Sequence, residues 1–412
     1  MKSSLRFALF GIVPLLVSAP LVAEPPDAAQ ALVHRHSLTP PAATNGDALL
    51  RHLSVPPGFR LSIFASGLGH PRMIEAGPDG TVYITRRDEG DVLALRDTDG
   101  DGRADHRRTF LNHLDGVHGV ALHAHQLYLA SSTTVWRSRL TLPVAEAIVT
   151  GLPDGGQHPN RMVRFGPDGK MYVSIGSSCN DCAEENQLER GTIVRYAADG
   201  SSREFVAKGL RNTIGFDWQP TTGTLWGMDH GSDFRGDSLP PEELNLIEEG
   251  ANYGWPICYA DRRVDPMTNA PPERLALKPG VPKPSGEPMT REAYCALTRA
   301  STLTMRAHSA PMAMRFYAGN QFPADYRTDA FVALHGSWNR RDPAGYRVVR
   351  LHFSPDGQPQ RFDDFITGFV SANDSVVYGR PVGVAFLPDG AMLVSDDLNG
   401  SIYRIDFVGA TP

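Results

Sequence analysis

The stretch from Gly209 to Pro256 carries the densest set of residues that could do chemistry. It opens with G-L-R-N, so Arg211 and Asn212 directly precede an apolar segment, and it then reaches the corner H-G-S-D. A guanidinium and an amide held at the end of a rigid strand suit a carboxylate or a quinone oxygen. At Gly231 and Ser232 the backbone can turn its carbonyls outward, an arrangement that calcium accepts. An anion clamp beside an oxygen-rich corner predicts an anionic cofactor bridged by a metal.

Three polar residues occupy corresponding points before apolar segments. His158, in Q-H-P-N-R, precedes one segment, Arg211 precedes the next, and Arg380, in Y-G-R-P-V-G-V, precedes a third. An imidazole can act as a general base because its pKa is close to working pH, although a lone histidine is more often a capped surface residue. The shared position predicts that all three converge on one axis. His118, in D-G-V-H-G-V, is expected to line the same pocket and ranks below His158 as a base.

A loop rich in polar and aromatic residues runs from His335 to Tyr346. Its sequence H-G-S-W-N-R-R-D follows an apolar strand. Trp338 could stack on a planar ligand while Asn339 or Arg340 reaches the acidic rim of that ligand. The alternative is a structural tryptophan on the surface of the fold, and the sequence leaves both interpretations open.

The acidic segment D-T-D-G-D-G-R-A-D resembles a calcium loop in its spacing. Asp97, Asp99, Asp101 and Asp105 fall at positions one, three, five and nine, but Arg108 stands at position twelve where an EF-hand has glutamate. The segment is therefore not an EF-hand. A structural calcium bound by these four residues and a merely acidic turn are both compatible with the sequence.

The N-terminus predicts export. Residues 1–23 combine Lys2 and Arg6 with an apolar run too short to span a membrane, as in a secretory signal peptide. Residues 24–52 are rich in proline and alanine and predict a flexible leader. Removing residues 1–23 takes the formal net charge from −6 to −8, and no basic cluster points to nucleic acid. We expect a periplasmic or secreted protein without a membrane span.

Four cysteines accompany this predicted export. They fall in two pairs, Cys179 with Cys182 and Cys258 with Cys295. An oxidising compartment favours disulfides, whereas a structural metal would need a second ligand pair beside the first. Covalently attached haem would need histidine after the second cysteine, and Ala183 stands there. We predict one disulfide within each pair, although spacing alone does not establish this pairing.

A turn-and-strand unit recurs along the chain every 40 to 60 residues. A polar turn feeds an apolar strand in each unit, as in a hairpin. The units are Gly77–Ile84, His123–Ala130, Gly166–Val173, Thr221–Gly227 and Leu387–Val394, with a less regular sixth at Tyr326–Leu334 and Tyr346–Phe353. Six such units without strong helical patterns predict an all-β fold, a six-bladed β-propeller over residues 53–408.

The repeat is interrupted at residues 251–311. This segment is rich in proline and charge and is bracketed by one of the cysteine pairs. Insertions in a propeller emerge on one face, often the binding face, so the segment is predicted to extend the top face and wall a pocket. An ordered surface loop without ligand contact is the alternative.

Several motifs in the same order resemble the glucose/sorbosone dehydrogenase family, closest to its L-sorbosone dehydrogenase-like branch. They are G-L-R-N, H-G-S-D, E-L-N-L-I-x-x-G-x-N-Y-G-W-P, H-P-x-R and H-G-S-W-N-R, and the resemblance runs from Leu53 to Phe407. It implies a six-bladed propeller that binds pyrroloquinoline quinone (PQQ) and calcium on its top face. It also implies oxidation of a sugar aldehyde, hemiacetal or alcohol, with electrons passed to an external acceptor such as a quinone or a cytochrome.

The resemblance assigns roles to individual residues. His158 matches the base that takes the substrate proton while hydride passes to the quinone. The soluble glucose dehydrogenases have an acidic residue after T-I-G that orients this histidine. Here S-I-G continues into Ser177, Ser178 and Cys179. The base is therefore expected to be held differently, and the substrate could differ as well.

The remaining assignments concern the cofactor and the metal. Arg211 and Asn212 match cofactor contacts, and Arg380 matches an arginine on the cofactor carboxylates. Gly231 and Ser232 match the pair whose backbone carbonyls hold the catalytic calcium. Serine replaces the proline of the soluble glucose dehydrogenases at the second position, which leaves a carbonyl ligand intact.

Two rival functions remain at this stage. A propeller could keep the fold and serve only as a binding module, with His158 unoriented and no quinone. A calcium-dependent sugar lactonase would need several carboxylates on the axis, and the sequence places Arg211 and Arg380 there instead. The sequence therefore favours a PQQ-dependent sugar dehydrogenase with a small-molecule sugar substrate.

Overall fold

Short antiparallel strands form nearly all of the regular structure. The computed structural model describes residues 38, 46–154, 156–183, 189–268, 270, 272 and 289–409. The predicted signal peptide lies outside these residues, as does the leader apart from 38 and 46–52. In chain order the strands are β1 (Phe59–Ala65), β2 (Pro71–Ala76), β3 (Val82–Arg86), β4 (Asp91–Arg96), β5 (His106–Leu111), β6 (Gly119–His123), β7 (Gln126–Ala130), β8 (Thr134–Arg139), β9 (Glu146–Thr150), β10 (Met162–Phe165), β11 (Met171–Ile175), β12 (Thr192–Tyr196), β13 (Glu204–Lys208), β14 (Thr213–Trp218), β15 (Leu225–Asp229), β16 (Glu242–Leu246), β17 (Ala251–Asn252), β18 (Cys258–Tyr259), β19 (Arg263–Val264), β20 (Leu303–Met305), β21 (Pro311–Phe316), β22 (Ala330–Leu334), β23 (Arg347–Phe353), β24 (Pro359–Ile366), β25 (Pro381–Phe386), β26 (Met392–Asp396) and β27 (Ser401–Phe407).

Six antiparallel sheets are the six blades of a β-propeller, as the sequence predicted. Four are meanders of successive strands, ordered β2-β3-β4-β5, β6-β7-β8-β9, β10-β11-β12-β13 and β21-β22-β23-β24. The blade β14-β15-β16-β20 takes its outer strand from beyond β17, β18 and β19. The sixth, β25-β26-β27-β1, takes its outer strand from the start of the chain, with Phe59 opposite Phe407. Joining both ends of the chain in one sheet closes the ring, which leaves no blade without a neighbour.

The first strand of each blade lies next to the axis. Neighbouring first strands contact one another in the ring β2, β6, β10, β14, β21, β25 and back to β2. Their buried patterns explain this position, since all four residues Met162 to Phe165 of β10 are buried or nearly so. The predicted turns join first to second strands in five blades. The less regular sixth unit corresponds to β22 and β23, because a longer loop separates β21 from β22.

The lower end of the axis is filled by a buried ion network. Glu75 on β2 bonds to Arg164 on β10 and to Arg315 on β21, both at 2.7 Å, and Arg315 also pairs with Asp217 at 3.4 Å. Glu75, Arg164 and Arg315 come from alternate blades. Burial alone would raise the pKa of Glu75, but the two guanidinium groups outweigh it and hold that pKa below its usual value. The network ties alternate blades together across the axis.

The segment 251–311 forms the additional structure between β16 and β21. Its described part contains β17, which pairs in parallel with β13, the hairpin β18–β19, the helix α2 (Arg291–Ala296) and the blade strand β20. Thr290 caps α2 by accepting a hydrogen bond from the amide of Ala293. Cys258 and Cys295 form a disulfide in this segment. A second disulfide joins Cys179 and Cys182, so both predicted pairings are confirmed.

The end of the predicted leader is ordered. A helical turn, α1 (Gly46–Leu49), continues into a 3-10 turn at Leu50–His52. Leu49 is buried, and the His52 ring stacks on Tyr378 with ring centroids 3.8 Å apart. The structure therefore differs from a flexible leader over residues 46–52, because one apolar and one aromatic contact hold them on the propeller.

Candidate active site

The top face collects polar residues from two kinds of strand ends. In an antiparallel blade, the first strand begins where the second strand ends, so residues flanking these two points share one end of the axis. His158 and Arg211 lie before the first strands β10 and β14, while His230 follows the second strand β15. The ion network of Glu75 lies near the other end of the first strands. The two polar clusters therefore sit at opposite ends of the propeller.

A cavity of about 390 Å³ opens among these residues, a volume typical of small-molecule sites. It is lined by Gln157, His158, Arg211, His230, Gly231, Asp233, Phe234, Glu242, His308, Ala310, Trp338 and Asn339. His308 and Ala310 lie at the end of the segment 251–311, between the blade strand β20 and β21, so only this end of the segment is found in the described lining of the pocket. A groove of about 440 Å³ between the first two blades is lined by outer-strand residues such as His106 and Arg108. We place the candidate site in the axial cavity because its charged groups converge from several blades.

A buried carboxylate fixes the backbone of Arg211 and Asn212. Asp229, at the end of β15, accepts hydrogen bonds from the amide of Arg211 and the amide of Asn212, each at 2.8 Å. It also accepts one from the Thr213 hydroxyl at 2.7 Å. Burial raises the pKa of Asp229, and these donors oppose that effect. The two predicted cofactor contacts are therefore held by the neighbouring strand of their own blade.

The Arg211 guanidinium is held in a buried, charged corner. Its Nε donates to the Asn180 carbonyl oxygen at 3.0 Å, and its Nη2 donates to Asn180 Oδ1 at 3.0 Å and to Asp233 Oδ2 at 2.8 Å. Only 3% of the Arg211 side chain is exposed. The Asn212 amide instead donates to Nδ1 of His230 at 3.4 Å. Arg211 thus lines the cavity directly, and Asn212 supports a residue that lines it.

The hydrogen bonds of His158 define its tautomer. Nδ1 lies 3.0 Å from the Ser177 carbonyl oxygen and 2.9 Å from the Ser177 hydroxyl oxygen. That hydroxyl donates to the Cys179 carbonyl at 2.7 Å, so toward His158 it can only accept. Both contacts therefore require a proton on Nδ1. The lone pair is on Nε2, the nitrogen that a general base would use.

Burial keeps His158 neutral. Desolvation, reinforced by the positive charge of Arg211, lowers the pKa of His158 to about 3. Gly176 permits the close packing behind the ring, since a Cβ there would lie 2.7 Å from both His158 Cβ and Asn212 Oδ1. The serine after S-I-G, which replaces the acidic residue expected from the resemblance, is what orients the imidazole. A neutral acceptor orients it without adding charge.

The corner at Gly231 and Ser232 could accept a hard cation. In the part of the chain that the structure describes, neither residue's carbonyl oxygen accepts a hydrogen bond. Glu242 accepts the Gly231 amide at 2.9 Å and the Ala310 amide at 2.9 Å, and it lies at the cavity. A Cβ on Gly231 would lie 2.8 Å from the Cγ of Pro240, so the corner requires glycine there. Two unengaged carbonyls beside carboxylates fit the donor set that calcium prefers.

The three residues of the loop after β22 are placed differently from one another. Trp338 is 45% exposed at the cavity, where its ring meets Phe234 edge-on with centroids 5.7 Å apart. Asn339 lines the cavity and donates to Asp233 Oδ1 at 2.6 Å. Arg340 is buried and donates to the Ala307 carbonyl, and it is absent from the cavity lining. The structure thus brings Trp338 and Asn339 to the candidate site and directs Arg340 into the insertion.

Arg380 lies near the axis but outside this cavity. Its guanidinium donates to the carbonyls of His335 and Gly336, both at 3.1 Å. His335 in turn bonds to Asp397, which pairs with Arg72. The predicted convergence therefore holds for His158 and Arg211, whereas Arg380 belongs to this neighbouring cluster.

His118 joins the same cluster and does not line the cavity. It is fully buried, with Nδ1 3.3 Å from the Arg161 carbonyl and Nε2 3.5 Å from Arg72 Nη2. Donation from Nδ1 leaves Nε2 to accept from the guanidinium. Burial and the Arg72 charge lower the pKa of His118 well below its usual value. The expectation that His118 lines the pocket is therefore wrong, because tertiary packing engages both ring nitrogens.

The acidic loop lies away from the axis. The carboxylate oxygens of Asp97, Asp99 and Asp101 can lie within 4.8 Å of one another. The loop's own backbone amides donate to all three of these carboxylates. Asp105 is instead engaged by Thr98, through its amide at 3.0 Å and its hydroxyl. Because a turn can cluster its carboxylates in this way without a cation, calcium here stays a prediction.

Sequence reasoning missed several residues of the site. Asn180 holds the Arg211 guanidinium, and Glu242 holds the backbone at Gly231. His308, from the segment 251–311, lines the cavity. Ser177 was noted only as a departure from the expected acidic residue. A usable signal was present, since Ser177, His230, His335 and Asp397 each follow the second strand of a blade by one or two residues.

Together, these features define a six-bladed propeller with a polar axial cavity, the fold of PQQ-dependent sugar dehydrogenases. The chain belongs to the TrAA12-like family, whose model matches residues 53–407. The resemblance inferred from the sequence is thereby confirmed. None of the helices in the described ranges is long and apolar enough to cross a membrane.

Relatives of known name share this fold at low identity. A pyrroloquinoline quinone-dependent pyranose dehydrogenase of Coprinopsis cinerea is 24% identical over 414 residues, covering 86% of this chain and 54% of that protein. The chain thus spans about half of that relative. The holo PQQ domain of the Coprinopsis cinerea pyranose dehydrogenase superposes with a TM-score of 0.69 at 23% identity, over 90% of this chain and 100% of that one. The apo form of the soluble aldose sugar dehydrogenase of Escherichia coli superposes with a TM-score of 0.59 at 17% identity. The superposition covers 85% of this chain and 99% of that one.

Proposed function

We propose that this protein is a PQQ-dependent oxidoreductase that oxidises a sugar aldehyde, hemiacetal or alcohol by hydride transfer to the quinone. The observation that carries the proposal is the pairing, in one cavity, of a neutral His158 with Nε2 as its basic nitrogen and a buried Arg211. For this reaction the protein must supply a general base and a group that binds the anionic cofactor, here a guanidinium.

Arg211 carries the anion-binding part of the proposal, because the structure places it at the cavity. Asn339 and Trp338 are the further cavity residues that would hold the cofactor. Asn212, which supports His230, and Arg380, in the neighbouring cluster, stay predicted contacts. The carbonyls of Gly231 and Ser232 would hold calcium. When bound, PQQ would accept hydride from the substrate and calcium would polarise the quinone carbonyl.

His158 would accept the proton that leaves the substrate hydroxyl. Its Nδ1–H stays fixed on Ser177 while Nε2 takes the proton, so the ring needs no rotation before the reaction. The edge-on pair of Phe234 and Trp338 offers an apolar surface at the cavity, on which the ring of a small substrate can rest. An L-sorbosone-like or aldose-like substrate is compatible with a cavity of this size.

The cellular setting belongs to the same proposal. The predicted signal peptide, residues 1–23, and the two disulfides support a periplasmic or secreted protein. Electrons would leave through an external acceptor, a quinone or a cytochrome. A sugar is the proposed small-molecule partner, and the acidic net charge disfavours nucleic acid.

A lactonase function is disfavoured by the carboxylates at the cavity. Asp233 accepts hydrogen bonds from Arg211 and Asn339, and Glu242 accepts two backbone amides. A lactonase would need several carboxylates on the axis, whereas the described lining of this cavity offers these two. The binding-module alternative supposed an unoriented His158, and Ser177 orients it.

The decisive experiment adds PQQ and calcium to the purified apoprotein. We expect saturable changes in quinone absorbance and, with aldoses or sorbosone, reduction of an artificial electron-accepting dye. A matched sample with a calcium chelator separates the metal requirement from quinone binding. Quinone binding without dye reduction across the sugar panel would favour the binding module, and absence of quinone binding would overturn the proposal.

A further inference from the structure

A short disulfide-closed loop lies against the polar corner of the cavity. It follows β11, and the Cys179–Cys182 disulfide links residues only three apart. The Cys182 amide also donates to Cys179 Sγ at 2.9 Å, which tightens the same turn. The cross-link leaves Asn180 and Asp181 as its two enclosed residues. Asp181 pairs with the buried Arg235.

Asn180 uses every polar atom of its side chain toward the site. Its Oδ1 accepts from Arg211 Nη2 at 3.0 Å and from the Asp233 amide at 2.7 Å, while its Nδ2 donates to the Asp233 carbonyl at 3.1 Å. Its backbone carbonyl accepts from Arg211 Nε at 3.0 Å and from Trp255 Nε1 at 3.2 Å. One residue thus holds two nitrogens of the Arg211 guanidinium and the backbone of the H-G-S-D corner at Asp233.

The same loop also determines how His158 is held. The Cys179 carbonyl accepts the Ser177 hydroxyl proton at 2.7 Å, which leaves that hydroxyl able only to accept from His158 Nδ1. If the Cys179 carbonyl moved away, the Ser177 hydroxyl could rotate and donate to Nδ1 instead. Only the Ser177 carbonyl would then favour the proton on Nδ1, and the opposite tautomer, in which Nε2 carries the proton and cannot act as a base, would become populated beside it.

We propose that Asn180 is a positioning residue for Arg211 and that the Cys179–Cys182 disulfide keeps the loop in the conformation that orients both Arg211 and His158. This inference rests on the proposed function for the meaning of these two residues. The cross-link closes a very short loop, so its contribution to global stability is small compared with a long-range disulfide. Its effect is local order at the cavity.

The other disulfide supplies a matched control. Cys258 and Cys295 are 37 residues apart and pack in an apolar cluster with Ile257 and Tyr294, against which Ala183, just after the short loop, also packs. Replacing that pair with serine should therefore reduce the melting temperature more than replacing Cys179 and Cys182. It should leave the contacts of Arg211 and His158 in place.

The test compares three variants with the wild type: Asn180→Ala, Cys179→Ser with Cys182→Ser, and Cys258→Ser with Cys295→Ser. PQQ affinity is measured by fluorescence titration in calcium, and melting temperature by calorimetry. We expect Asn180→Ala and the Cys179/Cys182 variant to weaken PQQ affinity about tenfold, since each loses oriented hydrogen bonds to a charged group. The Cys258/Cys295 variant should stay within about twofold of the wild-type affinity.

A second readout uses the apoprotein, so it does not depend on PQQ. Nitrogen NMR of protein labelled at histidine and arginine reports the His158 tautomer and the Arg211 Nε–H signal. We expect a mixture of His158 tautomers in the Cys179/Cys182 variant and a shifted Arg211 signal in Asn180→Ala. Wild-type protein that fails to bind PQQ would count against the proposed function, while these signals would still decide the role of the loop.

Wild-type PQQ affinity together with wild-type NMR signals in Asn180→Ala would overturn the positioning role of Asn180. Unchanged His158 and Arg211 signals in the Cys179/Cys182 variant would overturn the role of the disulfide. If that variant does not fold, the disulfide has a global role, which contradicts the local one proposed. Asn180→Ala keeps the remainder of the proposal testable in that case, since it leaves both disulfides intact.

Discussion

The imidazole of His158 donates its Nδ1 proton to the hydroxyl oxygen of Ser177 across 2.9 Å, and a neutral serine thereby orients the candidate base. The carbonyl of the same serine accepts as well, at 3.0 Å. An acidic partner would raise the pKa of the imidazole, because it stabilises the charged form. With a neutral partner, desolvation remains the largest effect on the pKa of His158 and lowers it. His158 therefore remains unprotonated over the whole neutral range, and several predictions depend on that state.

Replacing the candidate base should separate binding from turnover. We expect His158→Ala to keep PQQ affinity within about twofold and to lower kcat by about two to four orders of magnitude, the usual contribution of a positioned acid–base group. Stopped-flow reduction of the PQQ-loaded protein by sugar measures this. His106→Ala, on an exposed outer strand, is the control and should behave as wild type. Wild-type turnover in His158→Ala at saturating PQQ would show that another group is the base.

The pH dependence of the chemical step should lack an acid limb near pH 6.5. Burial lowers the pKa of His158 to about 3, and the neutral form is the base, so acidification to about pH 5 leaves it active. The same shift means that the folded state binds fewer protons than the unfolded state below pH 6.5. His158 therefore reduces fold stability as the pH falls from 6.5 toward 3. An acid limb near pH 6.5 that disappears in His158→Ala would contradict this assignment.

Removing the guanidinium should weaken the cofactor before it weakens the chemistry. Arg211→Ala leaves Asp233 and the cofactor anion without their buried partner, which we expect to cost about 2–5 kcal/mol of PQQ binding free energy. Excess PQQ should restore part of the activity in this variant and none in His158→Ala. Arg361→Ala, whose side chain is 51% exposed, is the matched control. PQQ titration measures the affinity of both variants. An unchanged PQQ affinity in Arg211→Ala would show that Arg211 does not bind the cofactor.

Calcium binding should depend on the backbone of the H-G-S-D corner. In Gly231→Ala, the new Cβ would lie 2.8 Å from both the Cγ and the carbonyl oxygen of Pro240, so the corner must shift. We expect calcium affinity, measured by calorimetry in the presence of PQQ, to fall at least tenfold. Ser232→Ala should retain calcium affinity, because the proposed ligand is a backbone carbonyl. A large loss in Ser232→Ala alone would point to the hydroxyl instead.

The ion network at the lower end of the axis should contribute to stability without touching the candidate site. Glu75→Ala leaves two buried guanidinium groups uncompensated, which we expect to cost about 3–5 kcal/mol of unfolding free energy. Glu146→Ala breaks an exposed pair with Arg137, the glutamate side chain being 62% exposed, and should cost at most about 1 kcal/mol. Urea unfolding measures both. Equal losses of unfolding free energy in the two variants would show that the buried network stabilises the fold no more than an exposed ion pair does.

The sequence by itself determined the propeller and part of its site. Polar turns feeding apolar strands recur because each blade repeats one local hairpin, and local hairpins are specified by neighbouring residues. For the same reason, residues before the first strands could be assigned to one end of the axis. His158 and Arg211 were found in this way, Gly231 was found from the H-G-S-D corner, and the cysteine pairs were predicted correctly.

Tertiary structure decided which of those polar residues share one cavity. His118 and Arg380 also precede first strands, yet packing commits them to the cluster around Asp397, because their distances depend on contacts between blades. Asn180 shows the converse. Its chain neighbours mark only a short disulfide loop, and six hydrogen bonds join it to residues 31 to 75 positions away. A hydrogen-bond network of that span exists only once the blades close into a ring, so it cannot be read from local sequence.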